Sequence, residues 1–271
     1  MKRRSIQCDV FSEQRLKGNG LAVVLDGDGL SDAQMLAFAG WTQQAETTDV
    51  AADYRVRIFS ATREMRFAGH PTLGSAAAWL HAGGRPQHKT RVVQECAIGL
   101  VEIDLSGAAP AFVAPPTTCQ PMADTERARI CRALGISADE VRASVTLDNG
   151  VMRQLLELED AARVLSLDAN AVSLPVFQGV SVLGRCAEGS EAAFEVRNLT
   201  PASMMSEDAV TGSLIAAVAV WLRDTGRLER DIVIAQGTAI GREGRAFVSR
   251  RGTDVLIGGQ TAIVIEGMVD I

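Results

Sequence analysis

Apolar and polar residues follow a period of two in several segments of the first hundred residues. Residues 5–11 and 21–25 carry the apolar density of strands, and the polar turn between them predicts an opening hairpin. In Tyr54–Ile58, apolar residues alternate with arginines, a pattern typical of a half-buried strand with one solvated face. Two further strands are predicted at 91–93 and 99–103.

Other segments have helical periodicity. Ser31 and Gln34 have the spacing of a capping box, and the apolar residues after them recur at helical spacing up to about Gln43. Residues 125–134 have a similar pattern and are followed by Gly135, a residue that often terminates helices. Strands and helices interleave along the chain, which predicts an α+β protein.

Two helical segments are apolar on all sides. They are Ala76–Leu80 and Leu214–Trp221, and they follow the similar motifs Met65–Ser75 and Glu207–Ser213. A surface helix has a one-sided apolar stripe, so these two helices are predicted to be buried with a sheet around each. The first turn of a helix has unpaired backbone N–H groups, which favour the binding of an anion such as a carboxylate.

These motifs predict an internal duplication. Gly74 and Gly212 are 138 residues apart, and the same offset aligns His70 with Asp208. Two other matches follow in the same order, at offsets of 140 and 130 residues: Val56–Ser60 with Val196–Thr200, and Asn19–Gly20 with Asn149–Gly150. Chance would explain one short match but not three in order, so we predict two similar domains.

A proline-rich stretch separates the two halves. Four of the eight prolines lie within twelve residues, at Pro110, Pro115, Pro116 and Pro121. Proline removes a backbone donor and does not continue a helix, so such a cluster is typical of a connection between units. We predict an N-terminal domain over 1–118 and a C-terminal domain over 124–271, with the alternative that the last strand packs back on the N-terminal half.

Composition and charge disfavour several classes of function. The net charge of -6 and the pI near 5.2 disfavour nucleic-acid binding, which needs dense positive charge. The longest apolar run, Leu214–Leu222, is far shorter than the ~18–20 residues that span a bilayer. The basic start is not followed by a signal-peptide core, so we predict a cytoplasmic protein with no membrane partner. Five scattered cysteines, without C-x-x-C spacing, are interpreted as reduced thiols.

Five segments, in this order, resemble the phenazine-biosynthesis (PhzF-like) isomerase family. They are Gly18–Asn19 before an apolar strand, Glu46–Thr47 after the first helix, Phe67–Pro71, Glu207–Ser213 and Gln236–Arg242. The resemblance covers essentially the whole chain. It implies the diaminopimelate-epimerase-like fold, in which two pseudo-symmetric domains each wrap a curved sheet around a central buried helix.

The resemblance also implies a function. Members of the family are cofactor-independent isomerases, commonly dimeric, with an active site between the two domains. The glutamate that matches Glu46 acts as general acid and base and moves a proton between carbons of a small carboxylic acid, while residues that match His70 and Asp208 assist. The best known substrate is a cyclic dihydro-hydroxyanthranilate in phenazine synthesis. We therefore expect a homodimer that binds a small carboxylate and needs no cofactor.

The chemistry of the candidate residues fits these roles, although each has a simpler interpretation. A carboxylate with a raised pKa accepts and returns a proton near neutral pH, but Glu46 alone would be interpreted as a surface loop residue. His70 and Asp208 alone are typical of residues that pack against or cap a helix start. We assign substrate contact through backbone groups to Gly69, Pro71, Thr72, Leu73, Thr211, Gly212 and Ser213.

The chain departs from the family pattern near the candidate glutamate. Gly20 replaces the proline of a Gly-Asn-Pro turn, and Ala45 replaces a serine, which removes one potential hydrogen bond. Thr48 and Asp49 replace apolar residues. A carboxylate at position 49 would alter the pKa of Glu46 if both faced the same site. The identity of the substrate therefore stays open.

Other chemistries find no support in the sequence. The three histidines lack H-E-x-x-H spacing, so no metal site is predicted, and there is no phosphate-binding glycine motif or G-x-S-x-G elbow. Two alternatives remain. One is a non-catalytic protein that binds a small carboxylate or a protein partner on the same fold. The other is a racemase or epimerase, which in the relatives requires cysteines at the helix starts where this chain has His70 and Asp208.

Overall fold

The computed structural model of the protein describes most of the chain. The described residues are 1–42, 46–50, 54–172, 179–200 and 206–271, and for 46–50 the description covers the backbone. The sequence predictions about Gln43 and Ala45 fall outside these residues. Those about the side chains of Glu46, Thr48 and Asp49 do too.

The first part of the chain forms a series of strands and two α-helices. They are β1 (Lys2–Val10), β2 (Asn19–Val24), α1 (Asp32–Thr42), β3 (Glu46–Val50), β4 (Val56–Phe59), β5 (Glu64–Met65), α2 (Gly69–His81), β6 (Arg91–Cys96), β7 (Gly99–Asp104) and β8 (Ala111–Val113). The predicted hairpin is confirmed. The predicted capping box is also confirmed, because the Gln34 N–H donates to Ser31 Oγ (3.3 Å) and the Ser31 N–H donates to Gln34 Oε1 (3.1 Å).

The rest of the chain adds three α-helices and nine strands to the described structure. They are β9 (Thr118–Pro121), α3 (Asp124–Leu134), β10 (Ala143–Asp148), β11 (Met152–Glu157), α4 (Ala161–Leu165), β12 (Val180–Arg185), β13 (Phe194–Leu199), α5 (Gly212–Asp224), β14 (Ile232–Gln236), β15 (Gly244–Arg251), β16 (Asp254–Gly258) and β17 (Thr261–Asp270). Helix α3 ends as predicted at Gly135, which has a left-handed φ of 66°.

The chain divides into two compact units. Unit 1 comprises Met1–Val113 and Gly258–Ile271, and unit 2 comprises Ala114–Ile257. The division follows Val113 and therefore lies inside the proline-rich stretch. Strand β17 belongs to unit 1, where it pairs antiparallel with β1 along its length.

The two units repeat one order of elements. In unit 1, β1 and β2 are antiparallel, β2 and β3 are parallel, and β3 and β4 are antiparallel. In unit 2, β10 and β11, β11 and β12, and β12 and β13 have the same three relations. Parallel neighbours need a crossover, which α1 provides in unit 1 and α4 in unit 2. The predicted fold of two pseudo-symmetric α+β domains is confirmed.

A buried helix follows the fourth strand of each repeat. Nine of the thirteen residues of α2 and ten of the thirteen residues of α5 are buried, as their all-round apolar sequences predict. Helix α2 packs against β1, β2 and β3, and α5 packs against β10 and β15. Among the described helices, none combines the length and the apolar character that crossing a membrane requires.

Strand pairing fixes how the two repeats align. In unit 1 Phe59 pairs with Glu64, and in unit 2 Leu199 pairs with Glu207. Each glutamate lies five residues before the first residue of the buried helix that follows it. The two helix starts, Gly69 and Gly212, are therefore equivalent positions.

This alignment corrects the predicted offset. His70 is the second residue of α2, so its equivalent in unit 2 is Ser213, the second residue of α5. Asp208 lies four residues before α5 and is not equivalent to His70. The likeness of Gly74–Ser75 to Gly212–Ser213, which suggested the 138-residue offset, is local, because Gly74 lies in the interior of its helix whereas Gly212 begins one.

Candidate active site

His70 is buried in the first turn of α2, with 6% of its surface exposed. Burial lowers the pKa of its imidazole from 6.5 to about 3, and a hydrogen bond with the Gly20 backbone opposes this shift. The ring is therefore neutral near pH 7. Because this hydrogen bond raises the pKa, the ring is the donor and the Gly20 carbonyl is the acceptor. A neutral imidazole has one N–H, and this bond uses it. The second ring nitrogen consequently has the chemistry of an acceptor.

Thr72 anchors the same turn through its hydroxyl. Thr72 Oγ donates to the Ala68 carbonyl at 2.9 Å and accepts from the Gln94 amide at 3.3 Å. Gln94 is fully buried, and its oxygen accepts from the Tyr54 hydroxyl at 3.5 Å. The predicted contact residues Gly69, Pro71 and Leu73 are buried in this turn as well. The side chains thus hold the turn to the sheet, which leaves its backbone groups as the candidates for ligand contact.

Glu46 is the first residue of β3, and its backbone is in parallel register with Leu21 of β2. Leu21 directly follows Gly20, the residue whose carbonyl binds His70. Strand β3 also packs against α2. The fold of unit 1 therefore brings position 46 to the strand segment that holds His70.

In unit 2, Asp208 precedes α5, and the N-cap residue of this helix is Thr211 rather than Asp208. Thr211 Oγ lies 2.5 Å from Asp208 Oδ2. Burial raises the pKa of the Asp208 carboxyl above its ordinary 3.8, while the Thr211 hydroxyl, the charge of Arg153 and the Ala209 N–H oppose the rise. Burial thus disfavours the ionised form of Asp208, and the three other interactions favour it.

Two buried amides fix the direction of the Thr211–Asp208 bond. Asn198 Nδ2 and Gln236 Nε2 each donate to Thr211 Oγ at 3.1 Å. A hydroxyl accepts two hydrogen bonds and donates one, so Thr211 must donate its proton to Asp208. Gln236 also accepts from the Thr211 N–H at 2.9 Å and donates to the Asp208 carbonyl at 3.1 Å. The segment between Asp208 and α5 is therefore held in one conformation.

Ser213 in the first turn of α5 has two partners from the β10–β11 hairpin. Arg153 Nη2 donates to Ser213 Oγ at 2.8 Å, and Asn149 Nδ2 donates to the Ser213 carbonyl at 2.8 Å. Asn149 marked the repeat in the sequence, whereas no sequence pattern pointed to Arg153 as a site residue. The available signal was a cation in β11, a strand whose residues Leu155 and Leu156 are buried.

A buried ion pair fixes the residue before Asp208. The guanidinium of Arg197 binds both carboxylate oxygens of Glu207, at 3.0 and 2.6 Å, and the two side chains are 3% and 0% exposed. Its remaining nitrogen donates to the carbonyls of Val164 and Leu167. Such a bidentate pair defines both distance and orientation, so Glu207 is rigidly placed.

The predicted site residues therefore form one group in each unit. Unit 1 has position 46 and a neutral His70, and unit 2 has Asp208, Thr211 and Ser213 with Arg153 beside them. Within the described ranges, no group of three or more His, Cys, Asp or Glu side chains has an arrangement that could hold a metal ion. The side chains of these two groups can form hydrogen bonds, and His70 and Asp208 can exchange protons.

The chain is similar in sequence to known proteins over most of its length. The family model described as phenazine biosynthesis-like protein (PhzC-PhzF) matches residues 8–267. A protein of Schizosaccharomyces pombe named antisense-enhancing sequence 1 is 33% identical, and the match covers 96% of each chain. The trans-2,3-dihydro-3-hydroxyanthranilate isomerase of Pseudomonas chlororaphis is 31% identical over 90% of this chain and 89% of its own.

A solved structure is also similar. The chain superposes with a TM-score of 0.84 on a PhzF-family phenazine biosynthesis protein from Bacillus anthracis, at 18% identity and with complete coverage of both chains. The predicted fold and the predicted isomerase class are confirmed, the latter by the isomerases among the relatives. Because the family model spans nearly the whole sequence, the chain belongs to the phenazine biosynthesis-like (PhzC-PhzF) family.

Proposed function

We propose that the protein is a cofactor-independent isomerase in which Glu46 moves a proton between two carbons of a small carboxylic acid. The carboxyl removes a proton from one carbon and returns it to another, so it must serve as base and then as acid. The observation that carries the proposal is the register of β3, which pairs position 46 with Leu21, next to the Gly20 carbonyl that holds His70.

His70 and Asp208 assist in the proposed reaction. A neutral His70 binds a hydroxyl or a protonated group of the substrate through its acceptor nitrogen, and it adds no positive charge that would stabilise the carboxylate of Glu46. Asp208, which lies four residues before α5, offers a carboxyl whose pKa is raised by burial. The backbone N–H groups of the first turns of α2 and α5 supply the carboxylate contacts.

Asp49 is the next acidic residue of β3 after Glu46, and it does not conflict with the role proposed for Glu46. Positions 46 and 49 are three positions apart in one strand, which is an odd offset. Neighbouring positions of a strand alternate between the two faces of the sheet, so these two positions belong to opposite faces. Asp49 is therefore a matched control for Glu46, with the same charge on the same strand.

The proposed substrate class is a small cyclic carboxylic acid. Three relatives, at 30–31% identity, are named trans-2,3-dihydro-3-hydroxyanthranilate isomerases. This compound is the first to assay. The S. pombe relative has a name that states no reaction, and the non-catalytic alternative is thus an outcome that the same assay distinguishes.

Steady-state kinetics of two variants test the assignment. Glu46→Gln keeps size and hydrogen bonding but cannot transfer a proton, so kcat falls by about 10²–10⁴-fold. Asp49→Asn changes kcat by less than about threefold. Circular dichroism and thermal unfolding verify that both variants fold. Native turnover in Glu46→Gln would contradict the role of Glu46, and equal losses in both variants would indicate an effect of charge alone.

We also propose that the protein forms a homodimer. Edge strand β17 carries the exposed apolar residues Ile265 (54%) and Met268 (60%), features that favour association of a strand edge with a second copy. Sedimentation equilibrium should give about twice the chain mass of 28.8 kDa. A single species at the mass of one chain would refute the dimer.

A further inference from the structure

Arg153 lies beside the first turn of α5, a position that is electrostatically unfavourable for a cation. Its Nη2 reaches the hydroxyl of Ser213 in the first turn of α5, at 2.8 Å. The start of a helix carries partial positive charge from its aligned peptide dipoles, which repels a guanidinium. Arg153 is also half-buried, so part of its hydration is lost. Two favourable interactions of Arg153 involve candidate site residues: the hydrogen bond to Ser213 and the electrostatic attraction to Asp208.

The hydrogen bond from Arg153 determines the direction of the Ser213 hydroxyl. A guanidinium has donors and no acceptor, so Ser213 Oγ must accept this bond. The hydroxyl proton of Ser213 therefore points away from Arg153 and is presented as a donor. Asn149 binds the carbonyl of the same residue at 2.8 Å and fixes its backbone.

The charge of Arg153 also acts on Asp208, whose pKa it lowers against the effect of burial. Two other arginines of unit 2 have carboxylate partners of their own. Arg197 binds Glu207 at 2.6 Å, and Arg245 binds Glu191 at 3.0 Å. The buried carboxyl of Glu195 accepts from the Thr238 hydroxyl at 2.9 Å. Arg153 is the cation that opposes the effect of burial on the pKa of Asp208.

We propose that Arg153 is a positioning residue of the site: it favours the charged form of Asp208 and sets the Ser213 hydroxyl as a hydrogen-bond donor to the substrate. The link to substrate rests on the function proposed above. The link to Asp208 does not, because it is a property of the free protein. These two parts are tested separately.

The first test is a ¹³C NMR titration of the aspartate carboxyls in the free protein, with Asp208→Asn to assign the signal. Arg153→Met raises the pKa of Asp208 by roughly 0.5–1 unit, because the opposing charge is lost, whereas Arg153→Lys leaves it close to the native value. Arg142→Met removes an exposed cation of the same unit that is paired with Glu159, and it leaves Asp208 unchanged. If Arg153→Met does not fold, Arg153→Gln replaces it.

The second test measures kcat and KM against pH with any substrate that the native protein converts. Arg153→Met raises KM by about tenfold, because Ser213 is no longer oriented, and moves the acidic limb of the kcat/KM profile upward with the pKa of Asp208. Arg153→Lys restores the limb. Arg142→Met matches the native enzyme in both quantities.

The outcomes separate the two proposals. A pKa of Asp208 that is unchanged in Arg153→Met, or shifted equally in Arg142→Met, overturns the role of Arg153. A loss of kcat in Arg153→Met with native KM and an unmoved pH limb overturns it too. Absence of turnover in the native protein counts against the proposed function, while the titration still decides whether Arg153 controls Asp208.

Discussion

The same arginine–glutamate pair occurs in both units but in different surroundings. In unit 1, Arg57 binds Glu64 through two nitrogens, at 2.9 and 2.8 Å, and the side chains are 34% and 38% exposed. In unit 2, Arg197 binds Glu207 in the same bidentate way, but the side chains are 3% and 0% exposed. The pair is therefore exposed to water in unit 1 and buried in unit 2.

The difference follows from what covers each arginine. Arg57 has Asp32 at 2.9 Å, an exposed carboxylate at the start of α1. Arg197 instead donates to two backbone carbonyls of the α4 segment, those of Val164 and Leu167. Burial makes the pair of unit 2 essential to its local structure, because either partner alone would be an uncompensated charge. It also holds Glu207, the residue before Asp208, in a fixed position and orientation.

Breaking each pair gives the largest expected effect. Glu207→Gln leaves the buried Arg197 without its counter-charge and lowers the free energy of unfolding by about 3–5 kcal/mol. Glu64→Gln, its structural equivalent in unit 1, costs about 1 kcal/mol or less, because water screens the exposed pair. Urea unfolding of both variants measures the contrast. Equal destabilisation would mean that burial does not distinguish the two pairs.

The two central helices differ in how closely they approach their sheets. Gly74 of α2 has no side chain, and a Cβ there would lie 2.4 Å from Leu21 and 2.8 Å from Val10; the equivalent residue of α5 is Ala217. Gly74→Ala therefore destabilises the protein by about 1–3 kcal/mol through overpacking.

Gly40 in α1 is the matched control for this substitution. A Cβ at Gly40 has open space around it, so Gly40→Ala stabilises the protein by about 0.5–1 kcal/mol through helix propensity. Thermal unfolding of the two variants distinguishes them by sign. A neutral Gly74→Ala would show that α2 can move away from the sheet without cost.

His70 in α2 and Asp208 before α5 respond to pH in opposite ways. The folded state keeps His70 neutral, with a pKa of about 3 against an ordinary 6.5. Its contribution to stability is complete above about pH 6.5 and is lost as the pH falls toward 3, at about 1.4 kcal/mol per unit. Asp208 has the opposite sign: its raised pKa favours the fold at low pH, and this contribution is lost as the pH rises through that pKa.

Urea unfolding at pH 6.5 and 5.0 tests the contribution of His70. The native protein loses roughly 2 kcal/mol more between these values than His70→Asn does, because the variant lacks the imidazole that the unfolded native protein protonates in this range. Both proteins share every carboxyl and the other two histidines, so the difference isolates His70. Equal losses in the two proteins would show that His70 is not held neutral by the fold.

Local patterns in the sequence predicted the elements well. Ser31 and Gln34 form the capping box, Gly135 ends α3, and the two alanine-rich helices are buried as expected. Such features depend on neighbouring residues alone. They were therefore visible without the fold.

Contacts between distant residues were not predictable in this way. The 138-residue offset compared helix sequences without knowing that Gly74 lies inside α2 and Gly212 at the start of α5. Arg153 is 60 residues from Ser213, so no local pattern connects them. The burial of Arg197 likewise depends on the α4 segment covering it, not on the residues beside it in β13.

Deuterium incorporation from the solvent tests directly whether Glu46 transfers a proton to carbon. The protein is incubated in deuterium oxide with trans-2,3-dihydro-3-hydroxyanthranilate and a panel of small carboxylic acids, and proton NMR follows the carbon-bound hydrogens. We expect loss of a specific C–H signal with the native protein and with Asp49→Asn, but not with Glu46→Gln. Exchange that persists in Glu46→Gln, or no exchange of any acid by the native protein, would contradict proton transfer by Glu46.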